Sequence, residues 1–188
     1  MEVEGQAYIY DCPYSTLCRQ VVTDADGRVA EFNVSTGATN VKVQGRDSEM
    51  KVAIDRIVLV PLSNWSIDYV KPVSQCVRDE GECVPSVYPA APDGSVMILM
   101  SDGNQDKLAP FPPSGIYDLT TPLVMLDENN PLVHISGNVP DPGYYVIVAH
   151  YYQPEKPEIQ IPISIKENPT RPKWKGPVKT AAGINLQV

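Results

Sequence analysis

Between Asp141 and Ile165 the chain reads DPGYYVIVAHYYQPEKPEIQIPISI, and this stretch leaves little room for any architecture but a sheet. Asp141-Pro142-Gly143 is a turn signal, because Pro restricts φ and Gly admits the positive φ that many turns need. The residues from Tyr144 to Gln153 carry almost no polar atoms and are rich in Tyr and Val. Such side chains suit a pleated surface and crowd the preceding turn of a helix. Alternation puts Tyr145, Ile147, Ala149 and Tyr151 on one face and Tyr144, Val146 and Val148 on the other. Both faces are apolar, which predicts a central strand covered on both sides. The second run places Ile159, Ile161, Ile163 and Ile165 opposite Glu158, Gln160, Pro162 and Ser164. Period two with one polar face predicts a half-buried strand. Pro162 cannot donate to a ladder, so this strand is expected at an edge or with a bulge. Burying each isoleucine contributes roughly 1.5–3 kcal/mol, and a slip of one residue would turn all four to water.

The rest of the chain agrees. Its 188 residues suit one ordinary domain or two small modules, and 43% are apolar, enough for a core. Nineteen prolines are scattered without a repeat, which disfavours long helices, and no ten-residue window has a convincing helical period. The fold class predicted is all-β. A net charge of −8 without a basic cluster sets nucleic-acid binding aside. No apolar run approaches the ~20 residues of a membrane-spanning helix. Met1 is followed by Glu-Val-Glu-Gly-Gln, which has neither part of a signal peptide. The expectation is a piece of a longer extracellular polypeptide with Met1 added.

Several further strands are legible. Residues 3–10 lead into the first cysteine loop. Asp26-Gly27 between Val-rich arms predicts a type I′ hairpin. The same acidic cluster resembles a calcium loop, but Val29 and Ser35 stand where that loop needs glycine and an acid. In MKVAIDRIVLVP (50–61), Val52, Ile54, Val58 and Val60 are read on one face and Ala53, Ile57 and Leu59 on the other. Asp55-Arg56 interrupts this second central strand, either as a catalytic pair or, the plainer reading, as residues that point at a sheet end or pair with a neighbouring loop. The division expected is a strand-rich segment over 1–88 with both cysteine loops, a Pro/Gly-rich connection over 89–114, a second strand-rich segment over 115–166 and a Pro-rich tail over 167–188.

The four cysteines form two close pairs, Cys12/Cys18 and Cys76/Cys83. A zinc site would need a knuckle spacing that is absent, and His134 and His150 are far off in strand-like runs. Two local disulfides in a secreted protein are predicted instead, each contributing on the order of 2–3 kcal/mol. Asn33-Val34-Ser35 and Asn64-Trp65-Ser66 are N-glycosylation acceptor sequences near strand ends, whereas Asn168-Pro169-Thr170 is excluded by its proline.

The opening VEGQAYIYDCPYSTLCRQVV, with its C-P-x4-C-R spacing, the strand AIDRIVLVPLSNW and the following cysteine loop together resemble domain IV of laminin α chains, the globular insertion of the short arm. The stretch ISGNVPDPGYYVIVAHYYQPEKPEIQIPISI resembles the half-module that precedes such a segment in that region. The resemblance implies an antiparallel β-sandwich, jelly-roll and galactose-binding-like and similar to carbohydrate-binding modules, with its two halves in reversed order: a closing half over 1–88 and an opening half over 115–166. Either the chain straddles two tandem modules or its halves pair into one sandwich. It further implies a non-enzymatic structural and adhesion module of a secreted basement-membrane glycoprotein, without a cofactor, assembling with laminin β and γ chains through regions elsewhere. The alternative is a glycan-binding module, with Trp65 and the tyrosines as candidate platforms, although Trp65 lies inside an acceptor sequence and the tyrosines of 144–152 read better as core. An enzyme would need a nucleophile, base and acid in concert; His134 lies near Ser136 but in no G-x-S-x-G elbow, and His150 reads as a core histidine.

Overall fold

The computed structural model describes residues 2–9, 17–45, 52–77, 82–103, 122–153 and 159–166. Their strands are β1 (Glu2–Ile9), β2 (Cys18–Thr23), β3 (Glu31–Val34), β4 (Gly37–Gln44), β5 (Val52–Pro61), β6 (Val73–Val77), β7 (Glu82–Val87), β8 (Val96–Leu99), β9 (Val124–Leu126), β10 (Leu132–Val139), β11 (Gly143–Tyr152) and β12 (Ile159–Lys166). Ten of them form one antiparallel sheet, folded into two facing layers as a β-sandwich, and β6 and β7 form a separate hairpin. The first layer runs β10-β4-β12-β1. In the second, β11 is central, flanked by β5 on one side and by β2 and β3 on the other, and β5 carries β8 and β9.

Strand β2 joins the layers. Its first half pairs with β11 and its last two residues pair with β1, through Ala7↔Val22 and Gln6↔Thr23. The corner is tight enough to require glycine. A Cβ on Gly5 would overlap the Val22 side chain and lie 3.1 Å from the Thr23 carbonyl oxygen and 3.2 Å from Phe32 Cζ. Between the layers, Ala7, Ile9, Val41, Val43, Val133, Ile135, Ile161, Ile163 and Ile165 meet Phe32, Ile57, Leu59, Tyr145, Ile147 and Ala149 in one buried core.

Strand β11 behaves largely as its alternation predicts, whereas on the face of β12 read as polar Gln160 is exposed but Pro162 and Ser164 are buried. Tyr145, Ile147, Ala149 and Tyr151 point into the core, and Val148 packs on the outer face under a second apolar cluster. Three expectations are corrected. First, the two ends of β5 do not share the predicted faces. Ile54 is opposite Tyr151 and Arg56 is opposite His150, so Asp55 is the extra residue of a β-bulge. The bulge reverses the parity, and Val52, Ile54, Ile57 and Leu59 all reach the core while Val58 and Val60 face outward.

Second, β12 is not an edge strand, since it lies between β1 and β4. Its ladder with β4 spans Ile163–Ile165 alone, so the missing N–H of Pro162 falls where that side is unpaired. Third, the hairpin loop after β2 is not a two-residue type I′ turn. Gly27 N donates to Asp24 O at 3.1 Å, which makes Ala25 and Asp26 the central residues, and Gly27 follows with φ of 76°. The Asp24 carboxylate accepts from the backbone N–H groups of Asp26 and Arg28, both at 2.9 Å, and so holds the loop itself. The Val96–Leu99 run within the Pro/Gly-rich segment is β8, paired with β5.

Candidate functional site

The outer face of the second layer holds a buried polar cluster. Three adjacent strands set Arg19, His150 and Arg56 in one row, with His150 opposite Arg19 on one side and Arg56 on the other. Above them lies a short 3-10 turn, Ile67–Val70, started by the Ser66 hydroxyl accepting from Asp68 N. This turn delivers Tyr69, whose Oη shares a hydrogen bond of 3.1 Å with His150 Nε2. The Arg19 guanidinium lies 4.3 Å from the centre of the Tyr69 ring and 4.7 Å from that of Tyr88. It also donates through Nη1 to Tyr69 O at 3.0 Å and to Pro89 O at 2.7 Å. The fully buried Asp55 of the bulge accepts from Arg56 Nε, and Arg56 Nη1 reaches Met97 Sδ at 3.7 Å.

The electrostatics of this cluster favour neutral groups. Burial, reinforced by Arg19 and then Arg56, holds the His150 imidazole well below its usual pKa of 6.5. Burial raises the Tyr69 hydroxyl, partly opposed by the same two arginines. Tyr69 and His150 are thus both uncharged near neutrality. Arg19 accordingly works as a clamp that ties residues 69 and 88–89 to the sheet. Asp55 and Arg56 sit at the bulge, where the Asp55 carboxylate accepts from Arg56 Nε within the same strand. Arg19 stood out in the sequence only as the last residue of the cysteine motif, and neither its clamping role nor Tyr69 and Tyr88 was legible, since Arg19 meets partners 50 and 70 positions away.

A pH effect follows. His150 binds no proton when folded but titrates near 6.5 when unfolded, so this residue leaves stability unchanged above that value. Below it stability falls, by at most about 1.4 kcal/mol per pH unit, until the depressed folded value is reached. Between roughly pH 7.5 and 5, denaturation midpoints are expected to drop more steeply for the unmodified chain than for His150→Gln, which keeps a hydrogen-bonding end without a titrating proton. Equal slopes would refute this.

The residues singled out in the sequence are spread over the molecule. His134 is exposed on the outer face of the first layer, on the opposite side from His150, and the two do not come together. Cys12 lies outside the described residues. Cys18 opens β2, buried and disulfide-bonded. Cys76 and Cys83 are direct cross-strand partners in the β6–β7 hairpin. Asn33 is a half-buried residue of β3, while Asn64 is exposed in the 3-10 turn Leu62–Asn64 and donates from Nδ2 to Asp93 O at 2.8 Å. Trp65, a candidate sugar platform, packs instead against the outer apolar cluster of Val58, Val60, Tyr69 and Val148.

On the first layer, Glu4, Ser164, Lys42 and His134 form a polar row across four strands. The shallow cleft beside it, lined by Glu4, Lys42, Gln44, Pro162 and Ser164, has a volume of about 40 Å³. Ligand pockets usually hold roughly 300–1,000 Å³, so this one suits water.

The fold is therefore an antiparallel β-sandwich in which the buried polar groups clamp a strap to a sheet. The chain is similar to laminin subunit alpha of Drosophila melanogaster, 29% identical over 164 residues, which is 84% of this chain and 4% of that relative. It is also similar to human laminin subunit alpha-3, 28% identical over 168 residues, 86% of this chain and 5% of that relative. These matches support a laminin-related domain. The chain spans 4–5% of the length of these curated relatives. No family model matches the chain, and no solved structure matches it.

Proposed function

We propose that the chain is a non-catalytic structural and adhesion module of a secreted basement-membrane glycoprotein, the globular domain IV insertion of a laminin α short arm. The observation that carries this reading is the likeness to two laminin α subunits along 84% and 86% of the chain. The cross-strand placement of Cys76 and Cys83 supports a bond between them, and Cys12 is the partner proposed for Cys18. Asn33 and Asn64 are the proposed glycan acceptors. In each, the amide Nδ2 would form a bond to the anomeric carbon of the first sugar, displacing a lipid diphosphate carrier and releasing one proton. Assembly with laminin β and γ chains would use regions outside this sequence, and contact with other matrix or cell-surface proteins would use this module's exposed loops.

Two experiments test this. Secretion from animal cells, followed by non-reducing peptide mapping, is expected to give Cys12–Cys18 and Cys76–Cys83 links and sugar on both asparagines. A link between the two pairs would overturn the assignment. Deleting the module from a full laminin α subunit is expected to leave trimer assembly intact while the deposited matrix holds fewer cells. Unchanged adhesion would remove the adhesive role.

A further inference from the structure

Of the tyrosines in β11, Tyr145 and Tyr151 are each 3% exposed in the core, but Tyr144 is 38% exposed. Its place in the sheet gives it a specific neighbour. Strand β3 pairs with β11 in the register Tyr144↔Asn33 and Tyr145↔Phe32. Phe32 and Val34 are buried in the core, so Asn33 between them projects from the outer face. Tyr145 is likewise inward, so Tyr144 projects from that same face. Directly opposed residues on one face have Cβ atoms roughly 5 Å apart. An exposed aromatic ring thus stands beside the first asparagine of an acceptor sequence, on a strand whose ladder here is made with β11.

We propose that Tyr144 is the platform on which the innermost sugar of an Asn33-linked glycan packs. The proposal rests on Asn33 carrying that glycan. The Asn Nδ2 lies two bonds beyond Cβ, and the pyranose joined to it spans one strand spacing, about 4.8 Å. The apolar C–H face of an N-acetylglucosamine ring can then cover the phenol ring, which is otherwise open to water, as sugars and bases cover aromatic side chains elsewhere. A residue that looks like a defect in a buried strand becomes half of a binding surface completed by modification. The phenolic hydroxyl is not needed for this contact, but the ring is.

The test uses protein secreted from cells that make high-mannose glycans, then trimmed enzymatically to a single N-acetylglucosamine at each acceptor. Mass spectrometry first reads occupancy of Asn33. The acetyl methyl signal of that sugar is expected upfield in the NMR spectrum of the unmodified chain, retained in Tyr144→Phe and lost in Tyr144→Ala. In parallel, Asn33→Gln is expected to lower the melting temperature by about 2–4 °C, and by nothing when Tyr144→Ala is already present. Occupied Asn33 with no ring-current shift and an equal loss in both backgrounds would overturn the platform while leaving glycosylation intact. An unmodified Asn33 would overturn both.

Discussion

Arg19→Ala is expected to lower the melting temperature by roughly 6–12 °C, corresponding to about 3 kcal/mol at 2–4 °C per kcal/mol for a chain of this size. The guanidinium is packed between the rings of Tyr69 and Tyr88 and donates to two backbone carbonyl groups. A cation over an aromatic face contributes about 0.5–2 kcal/mol depending on desolvation. A hydrogen bond from a charged donor contributes about 1.5–3 kcal/mol. These contributions share one side chain and do not add, so a net loss near 3 kcal/mol is well below their sum. Arg19→Lys is expected to recover less than half, because an ammonium point charge lacks the planar fork that lies along two rings while bonding two carbonyls. The loss should also be local. With its clamp removed, residues 67–72 and 88–92 are expected to be cut by proteases well before the sheet unfolds. A change in melting temperature below about 2 °C for Arg19→Ala would show that the cluster is incidental to stability.

The contrast between this clamp and the strands beneath it shows what the sequence could reveal. Strands β11 and β12 declare themselves because period-two alternation is a local property: each isoleucine of IQIPISI predicts the face of the next. The same rule fails in β5, since it assumes one residue per pleat, and Asp55 is inserted between Ile54 and Arg56. The failure carried a signal, for a charged residue within an otherwise apolar run is where a bulge belongs. His150 was legible as a satisfied core histidine, though its partner Tyr69, 81 positions away, was not. The cluster depends on three strands lying side by side and on a 3-10 turn above them, neither of which leaves a local pattern. Reading the tyrosines of 144–152 as core holds for Tyr145 and Tyr151 and fails for Tyr144, which is 38% exposed beside Asn33 of β3.

Adjacent positions in β12 offer the sharpest test of the register on which both layers depend. Ile161 is fully buried opposite Ala7, while its neighbour Gln160 is exposed opposite Tyr8. Ile161→Asp forfeits roughly 1.5–3 kcal/mol of apolar burial. It also places a carboxyl group among Ile163, Val41 and Phe32 of the same core, where an unpaired polar or charged group costs several kcal/mol more. The combined loss of at least about 5 kcal/mol matches the whole stability of many domains. The variant is expected to be retained in cells or to be recovered unfolded, with the cooperative near-ultraviolet transition absent. Gln160→Asp adds the same carboxylate one position away, where water solvates it, and is expected to fall within about 0.5 kcal/mol of the unmodified chain. A ladder slipped by one residue would reverse the two outcomes, because every side chain of β12 would exchange faces. Finding both variants equally stable, or the pattern inverted, would therefore refute the β1–β12 register and with it the two-layer core.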